Sequence, residues 1–237
     1  MSQSEQSEVQ TGLERIRVAE VPIDHHHYIV LSLLNAWMET VAAPMASGVV
    51  LDYGCGGQPY RRLLECYATR YIGADVAAAA GIKPDVVLTP GKPAPLPDAS
   101  VDTILSTQVL EHVYDFKSYL ADCSRLLRPG GKMILSAPMH WRHHETPYDY
   151  WRFTRFGLWK SIEDSGFGIL DFRPCGGFFA MLGQAFMDHL SERGRHNRFF
   201  ASIVNRFILW IDQRFADVED TLGWMCIAEK NRLDDCP

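Results

Sequence analysis

The segment VVLDYGCGGQP, residues 49–59, decides the fold of this chain. Its first half has the pattern of a buried strand, and Gly54 and Gly56 follow where the backbone must bend tightly and approach a ligand. A helical pattern starts at Pro59, so the N-terminal amides of that helix face the same turn. This order predicts a nucleotide-binding turn, although a lone glycine turn is also common as plain structure.

An acidic residue on the next strand pattern supports the nucleotide interpretation. Asp75 ends that strand, 21 residues after Gly54, where a carboxylate can accept hydrogen bonds from both ribose hydroxyls. Pro59 stands where dinucleotide sites need a third glycine, which disfavours a pyrophosphate. Asp52 places a carboxylate beneath the turn, where it repels phosphate and attracts an ammonium group. We therefore favour a zwitterionic, sulfonium-bearing adenosine cofactor.

Apolar strand patterns alternate with helical patterns along most of the chain. This alternation predicts a parallel sheet covered on both faces, which is the doubly wound α/β class. The predicted strands are 48–54, 70–76, 85–89, 101–107, 132–138, 168–174 and 222–230. The predicted helices are 28–41, 59–67, 116–127, 154–165, 178–190 and 199–215.

The chain is predicted to form one main domain, since 237 residues that are 47% hydrophobic can bury one sizeable core. Residues 1–47 are expected to be a disordered tail followed by an N-terminal cap helix, and residues 48–237 the domain itself. A helical excursion at about 176–218 precedes the last strand. That strand is expected to pair with the strand before it, so the excursion is an insertion.

The composition of the chain limits the classes of binding partner and the cellular location that we expect. A net charge of -6 leaves no basic field for phosphate backbones, so we expect no nucleic-acid partner and favour an uncharged or cationic small molecule. The six cysteines lack ligand spacing, which predicts reduced thiols. The sequence shows no secretion signal and no apolar run of membrane-spanning length, so a cytoplasmic location is expected.

Four ordered segments resemble class I S-adenosylmethionine-dependent methyltransferases of the type 11 group. The segments are VLDYGCGGQPY, YIGADV, LPDASVDTILSTQVLEHV and LRPGGKMILSAP. The resemblance covers residues 49–138 and says little about the methyl acceptor. It implies S-adenosylmethionine as cofactor and a Rossmann-like seven-stranded sheet of order 3-2-1-4-5-7-6 with strand 7 antiparallel.

The resemblance also implies roles for individual residues. The turn would approach the methionine portion of the cofactor through the backbone atoms of Gly54, Cys55 and Gly56, with Asp52 orienting the turn. Asp75 would hold the ribose hydroxyls and Val76 would pack on the adenine. The end of the fourth strand would border the methionine portion and the methyl group through Thr107, Gln108 and Val109. One departure is Gln58, which stands where the family has its final glycine.

The segment HWRHHETPYDYWRF, residues 140–153, follows the fifth strand and is predicted to form the acceptor pocket. His144 or His143 is the candidate general base, with Glu145 as its orienting partner. The candidate substrate-binding residues are His140, Glu145, Tyr148, Tyr150 and Trp151. Alternatively, the aromatic rings plug the sheet edge and the histidines are solvated. A metal site is not expected, because Pro138 and Pro147 argue against the helix that would align the histidines.

The second insertion helix has one broad apolar face, formed by Phe199, Phe200, Ile203, Phe207, Trp210 and Ile211. Its polar residues are predicted to lie largely opposite: Arg198, Asn205, Arg206, Asp212 and Arg214. Such a helix could lie on a membrane surface or cover a lipid-like acceptor. Packing on the domain or on a second subunit, as in a homodimer, is the favoured interpretation.

The predicted function is S-adenosylmethionine-dependent methyl transfer to an oxygen or nitrogen of a small-molecule or sugar-containing metabolite. Two alternatives stay open. One is a methyltransferase for a membrane-associated lipid or glycolipid acceptor. The other is a non-catalytic S-adenosylmethionine-binding protein.

Overall fold

The computed structural model describes residues 21–77, 81–195, 197–215 and 219–231, so the predicted tail lies largely outside the described residues. The strands within these ranges are β1 Gly48–Tyr53, β2 Ala68–Asp75, β3 Val86–Val87, β4 Val101–Thr107, β5 Leu127–Pro138, β6 Phe167–Pro174 and β7 Gly223–Lys230. The α-helices are α1 Tyr28–Trp37, α2 Arg61–Leu64, α3 Phe116–Leu126, α4 Arg155–Asp164, α5 Phe178–Glu192 and α6 Arg198–Arg214. Short helical segments of other types are Met38–Ala42, Ala43–Met45 and Leu110–His112.

The described strands form one sheet in the order β3-β2-β1-β4-β5-β7-β6. Strands β1 to β5 pair in parallel, and β7 runs antiparallel to both β5 and β6. The predicted fold class, strand order and antiparallel last strand are therefore confirmed. The order of the strands reverses between β1 and β4, and ligands of such sheets bind in the crevice at this switch point.

Some elements differ in length from their predicted bounds. Strand β5 begins at Leu127, because Leu127 pairs with Val101 while Lys132 pairs with Thr103. The intervening RPGG segment is a register irregularity within β5, with Gly130 at a φ of +76°. Helix α2 is shorter than predicted, since the N–H groups of Cys66 and Tyr67 donate to carbonyls three residues earlier and end it as a tight turn.

Apolar cores lie on both faces of the sheet, because successive strand residues point to opposite sides. On β1, Leu51 packs in the core beneath α3 and α4, while its neighbour Val50 packs in the core that includes α1. This double coverage is why the strands have continuous apolar sequences. It leaves the carboxyl edge of the parallel strands as the place where polar residues gather.

Helices α5 and α6 lie between β6 and β7 in the sequence and fasten the start of α1. The Asn205 side chain on α6 donates to the carbonyl of Ile23 at 2.7 Å, and the Gln184 side chain on α5 donates to the carbonyl of His26 at 2.9 Å. Helix α6 also joins α5 through Asp212, whose carboxylate accepts from the N–H groups of Gly177 and Ala180. The first turn of α5 is thus capped by a side chain from α6.

Among the described residues, no helix has both the length and the apolar character needed to cross a bilayer.

Removing the carboxylate of Asp212 should destabilise the fold. The side chain is 7% exposed, so the Asp212→Ala substitution leaves buried N–H groups without an acceptor. We expect the free energy of unfolding to fall by about 1–3 kcal/mol, measured by urea denaturation. Asp212→Asn retains one acceptor oxygen and should lose less. An unchanged denaturation midpoint for the alanine variant would contradict this role.

Candidate functional site

The glycine turn is anchored to the neighbouring strand by its backbone. The N–H groups of Gly54 and Cys55 both donate to the carbonyl oxygen of Ala74, at 2.8 and 3.1 Å. Gly54 has a φ of +87° and Gly56 a φ of +47°, a region that glycine adopts at little cost. The turn therefore reverses direction at the carboxyl edge of β1, within the crevice at the switch point.

Asp75 lies between the glycine turn and the end of β2. One of its carboxylate oxygens accepts from the Gly56 N–H at 2.7 Å, and the other accepts from the Val76 N–H at 2.6 Å. A carboxylate has about four acceptor positions, so both oxygens keep capacity for ribose hydroxyls. Val76 is 52% exposed and lies at the rim, where its side chain is open to an adenine ring.

Asp52 is buried beneath the turn, with 2% of its surface exposed. The Tyr71 hydroxyl donates a hydrogen bond to its carboxylate. Burial raises the pKa of Asp52 to about 7, although the bond from Tyr71 acts in the opposite direction. The carboxyl group therefore changes charge near neutral pH, and a cation bound beside it would favour the ionised form.

Gln58 replaces the usual glycine and keeps the conformation that the position requires. Its φ is +54°, in the left-handed region that is uncommon for residues other than glycine. Its side chain is buried and accepts a hydrogen bond from Arg61 at 2.9 Å. Burial raises the pKa of the adjacent Cys55 thiol to about 12, so this sulfur is not a nucleophile at neutral pH.

The end of β4 meets the glycine turn. Thr107 ends the strand, and the backbone N–H and side-chain amide of Gln108 donate to the carbonyl and hydroxyl oxygens of Ser136, both at 3.0 Å. Val109 lies against Gly54 so closely that a Cβ on that glycine would be 2.6 Å from a Val109 methyl group. The structure thus brings the predicted residues of this segment next to the turn.

The loop 140–153 is docked on the segment that follows β4. The backbone N–H groups of Tyr150 and Trp151 donate to the carbonyl of Glu111, at 2.9 and 3.2 Å. The Trp151 indole donates to the carbonyl of Val113 at 3.1 Å. Because Val109 of the same segment contacts the glycine turn directly, this docking places the loop beside the predicted cofactor site.

An ion pair inside the loop fixes its shape. Both terminal nitrogens of Arg152 donate to the Asp149 carboxylate, at 2.6 and 2.8 Å, and the same guanidinium donates to the carbonyls of Trp141 and Arg142. Burial disfavours the charged carboxylate, but the Arg152 bonds and the His144 N–H outweigh this and lower the pKa of Asp149 to about 2. Arg152 was not among the residues predicted from the sequence, although the Asp-x-x-Arg spacing is a usable signal for such a pair.

The two candidate bases occupy different environments. The His144 side chain is 13% exposed, with its Nδ1 atom 3.1 Å from the Arg142 carbonyl oxygen and 3.5 Å from the Asp149 carboxylate. The His143 side chain is 91% exposed. Glu145, the predicted orienting partner, lies 3.7 Å from Nε2 of His112. The fixed histidine is therefore His144, and Asp149 is the carboxylate placed to orient it.

The predicted substrate-binding residues divide into two groups. His140 lines a small cavity against α5, together with Trp141, Arg142, Met181, Gln184, Ala185, Asp188 and Leu222. Tyr148, Tyr150 and Trp151 are 63%, 40% and 36% exposed and lie on the opposite side, toward residues 110–114. Phe153 is buried in the core, which agrees with the alternative that part of the loop plugs the sheet edge.

Two groups of residues that commonly bind metals lie close together in the described part of the chain. They are Glu111, His112 and His144, and His26, His27 and Asp188, each group with its ligand atoms within 4.8 Å of one another. The first group combines residues from the loops after β4 and β5. The expectation of no metal considered only histidines aligned on one helix within residues 140–153, so it did not cover this group. The expectation that the site lacks a metal stays a prediction.

Comparison with known proteins matches the part of the chain that carries the glycine turn and strands β1 to β4. Residues 51–135 match the family described as a methyltransferase domain. A probable S-adenosylmethionine-dependent methyltransferase of Mycolicibacterium smegmatis is 41% identical over 96 residues, 38% of this chain and 37% of that protein. A ubiquinone biosynthesis O-methyltransferase of Cereibacter sphaeroides is 30% identical over 122 residues, 46% of this chain and 49% of that protein. The chain thus spans less than half the length of these relatives.

Solved structures show the same fold at low sequence identity. The 1,6-didemethyltoxoflavin-N1-methyltransferase of Burkholderia thailandensis, solved with bound 1,6-didemethyltoxoflavin and S-adenosylhomocysteine, has a TM-score of 0.55 at 14% identity, over 98% of this chain and 91% of that one. An S-adenosylmethionine-dependent methyltransferase of Archaeoglobus fulgidus also has a TM-score of 0.55 at 14% identity, over 87% and 95%. The chain therefore has the Rossmann-like fold that these methyltransferases share, and its residues 51–135 match the methyltransferase-domain family.

Proposed function

We propose that this protein transfers the methyl group of S-adenosylmethionine to an oxygen or nitrogen of a small-molecule or sugar-containing metabolite. The observation that carries the proposal is the meeting of the glycine turn, Asp75 and residues 107–109 in the crevice at the switch point. Relatives and structural neighbours include proteins named as O- and N-methyltransferases, which is why both acceptor atoms are kept.

In this proposal, the cofactor lies along the carboxyl edge from β2 to β4. Asp75 holds the ribose hydroxyls and Val76 packs on the adenine. The backbone of Gly54, Cys55 and Gly56 approaches the methionine portion, whose ammonium group is attracted by Asp52. Residues 107–109 border the methyl group, which places it toward loop 140–153.

The loop then has two tasks in methyl transfer. The reaction is an in-line displacement, so the acceptor atom, methyl carbon and sulfur must be aligned with water excluded, and alignment can supply several kcal/mol. Tyr148, Tyr150 and Trp151 supply walls for the acceptor. His144, held by Arg142 and Asp149, takes the proton from an acceptor hydroxyl or ammonium, a contribution of about 10²–10⁴-fold.

The experiment that tests the function is a screen with methyl-labelled cofactor against small-molecule and lipid fractions. The Asp75→Ala substitution should abolish labelling and weaken S-adenosylhomocysteine binding by about tenfold or more in calorimetry, since ribose hydrogen bonds are lost. Asp85→Ala is a matched control, because Asp85 also accepts a backbone N–H of β2, that of Gly73 at 2.8 Å. Cofactor binding without labelling of any fraction would favour the non-catalytic alternative.

The affinity for S-adenosylhomocysteine should increase with pH around neutrality. With a pKa of about 7, the ionised fraction of Asp52 rises about tenfold between pH 6 and pH 8, and only that form attracts the ligand's ammonium group. Burial raises the pKa of the neighbouring hydroxyls of Tyr60 and Tyr71, so neither titrates in this range. Calorimetry should show about tenfold tighter binding at pH 8 than at pH 6. The Asp52→Asn variant should bind weakly at both, and an unchanged pH dependence in it would refute this role.

Replacing His144 should slow the chemical step and spare cofactor binding. For His144→Ala we expect kcat to fall by about 10²–10⁴-fold once an acceptor is identified, with S-adenosylhomocysteine affinity unchanged. His143→Ala is the matched control and should retain most activity, because that side chain is almost fully exposed. A cation bound to His144 would occupy the lone pair that a general base needs, so His144 can act as the base only without a metal. Activity should therefore survive a chelator. Full turnover by the double alanine variant would rule out both histidines as the base.

A further inference from the structure

Helix α6 presents its apolar side to solvent. Four residues at helical spacing, Phe199, Ile203, Phe207 and Trp210, are 78%, 52%, 54% and 56% exposed. The side of the helix that faces the protein carries Asn205 and Asp212, which are 0% and 7% exposed. The inward side also carries Ala201 and Ile208, but the aromatic rings are left outside, whereas a surface helix of a globular domain normally buries its largest apolar side chains. The favoured prediction was packing on the domain or on a second subunit; its first half is wrong for these rings, and its second half stays a prediction.

The outward orientation of the rings is fixed by polar contacts. Asn205 donates to the carbonyls of Ile23 and His25, at 2.7 and 3.1 Å. Asp212 accepts from the first N–H groups of α5. Turning α6 to bury its aromatic rings would break these bonds and leave buried N–H groups without acceptors. The outward position of the rings is thus built into the fold.

Helix α5 packs against α6, its Phe179 ring lies 6.1 Å from the Phe215 ring, and it exposes further apolar side chains. We call the whole surface the aromatic face; its residues are Phe178, Leu182, Phe186, Phe199, Phe200, Ile203, Phe207, Trp210 and Phe215, which are 38% to 78% exposed. Monomeric proteins rarely expose a contiguous apolar patch as large as several such side chains unless it is an interaction site. The aromatic face is therefore expected to be an interaction site.

The charges around the aromatic face indicate what that occupant is. Between residues 193 and 215 the sequence has five arginines, at positions 193, 195, 198, 206 and 214, and its one acidic residue is Asp212, which is buried. Arg206, Trp210 and Arg214 are spaced by four residues, so they form one row on the exposed side. The guanidinium of Arg214 lies 5.9 Å from the Trp210 ring. Arg198 forms an ion pair with Asp24, so the basic surface beside the rings is chiefly that of Arg206 and Arg214, in a chain whose net charge is -6.

We propose that the aromatic face binds the surface of an anionic lipid bilayer, with α6 lying in the plane of the interface. The rings enter the boundary between headgroups and acyl chains, while the arginine side chains reach the phosphate groups. A second copy of the chain fits less well, because a two-fold contact would set arginine row against arginine row. The lipid surface supplies both the apolar environment and the negative charge.

Binding of the aromatic face to a bilayer would also bring the membrane near loop 140–153, because α5 lies between them. The cavity beside His140 is lined by α5 residues, and Arg142 of the acceptor loop forms an ion pair with Glu192 at the end of α5. A bilayer held by the aromatic face would lie beside the acceptor loop, so an acceptor with an apolar anchor in the membrane could present its polar group there. This consequence rests on the proposed methyl transfer, whereas lipid binding itself does not.

The test is sedimentation of the full chain with vesicles of phosphatidylcholine alone or with added phosphatidylglycerol. We expect binding that needs the anionic lipid and weakens with salt. The variants Phe207→Ser with Trp210→Ser, and Arg206→Gln with Arg214→Gln, should each lower partitioning by about tenfold or more. The matched control is Arg155→Gln with Phe156→Ser on α4, where an arginine likewise lies over an exposed ring, at 5.7 Å with Phe156 78% exposed. That variant should bind as the unaltered chain does.

Three results would overturn the proposal. These are no binding to either vesicle type, binding that survives both α6 variants, or a dimer in analytical ultracentrifugation that the variants dissociate without any vesicle binding. Calorimetry with S-adenosylhomocysteine checks that each variant is folded. It also separates the two proposals, because a chain that binds vesicles and fails to bind the cofactor would support the lipid surface and refute the methyl-transfer assignment.

Discussion

The site depends on one backbone contact, the pair of hydrogen bonds from the N–H groups of Gly54 and Cys55 to the carbonyl oxygen of Ala74. They make the chain reverse direction at the carboxyl edge of the sheet instead of continuing as a longer strand. Asp75 strengthens the same junction, since its carboxylate accepts N–H groups from the turn and from the end of β2. The open crevice between β1 and β4 follows from this reversal together with the strand order.

A chain of contacts connects this turn to loop 140–153. Val109 lies against Gly54, the segment after Val109 offers the Glu111 carbonyl to Tyr150 and Trp151, and the Arg152–Asp149 pair closes the loop on itself. The first step is a packing contact of the Val109 side chain, and the later steps are backbone hydrogen bonds and a largely buried ion pair. The loop that carries the histidines is therefore held by the element that also lines the cofactor crevice, which makes its position relative to a methyl donor well defined.

Regular features of the fold could be predicted from sequence because they depend on local pattern. Continuous apolar strands such as 101–107 indicated a sheet covered on both faces, and the glycine turn with Asp75 indicated the crevice. The start of β5 was missed because RPGG has the local chemistry of a helix end, whereas pairing of Leu127 with Val101 draws it into the sheet. The grouping of Glu111 and His112 with His144 was missed for a related reason, since it joins loops after two different strands.

The orientation of α6 shows a further limit of pattern reading. Periodicity identifies the two sides of a helix, and the apolar side is normally the buried one. Here the polar side has partners that lie far away in the sequence: the carbonyls of Ile23 and His25 for Asn205, and the N–H groups at the start of α5 for Asp212. Losing even two such buried bonds costs about 2–6 kcal/mol, a large share of the stability of an ordinary domain. Asn205 and Asp212 are therefore held inward, and the aromatic rings face outward with Arg206 and Arg214, because turning the helix to bury the rings would break the bonds of Asn205 and Asp212.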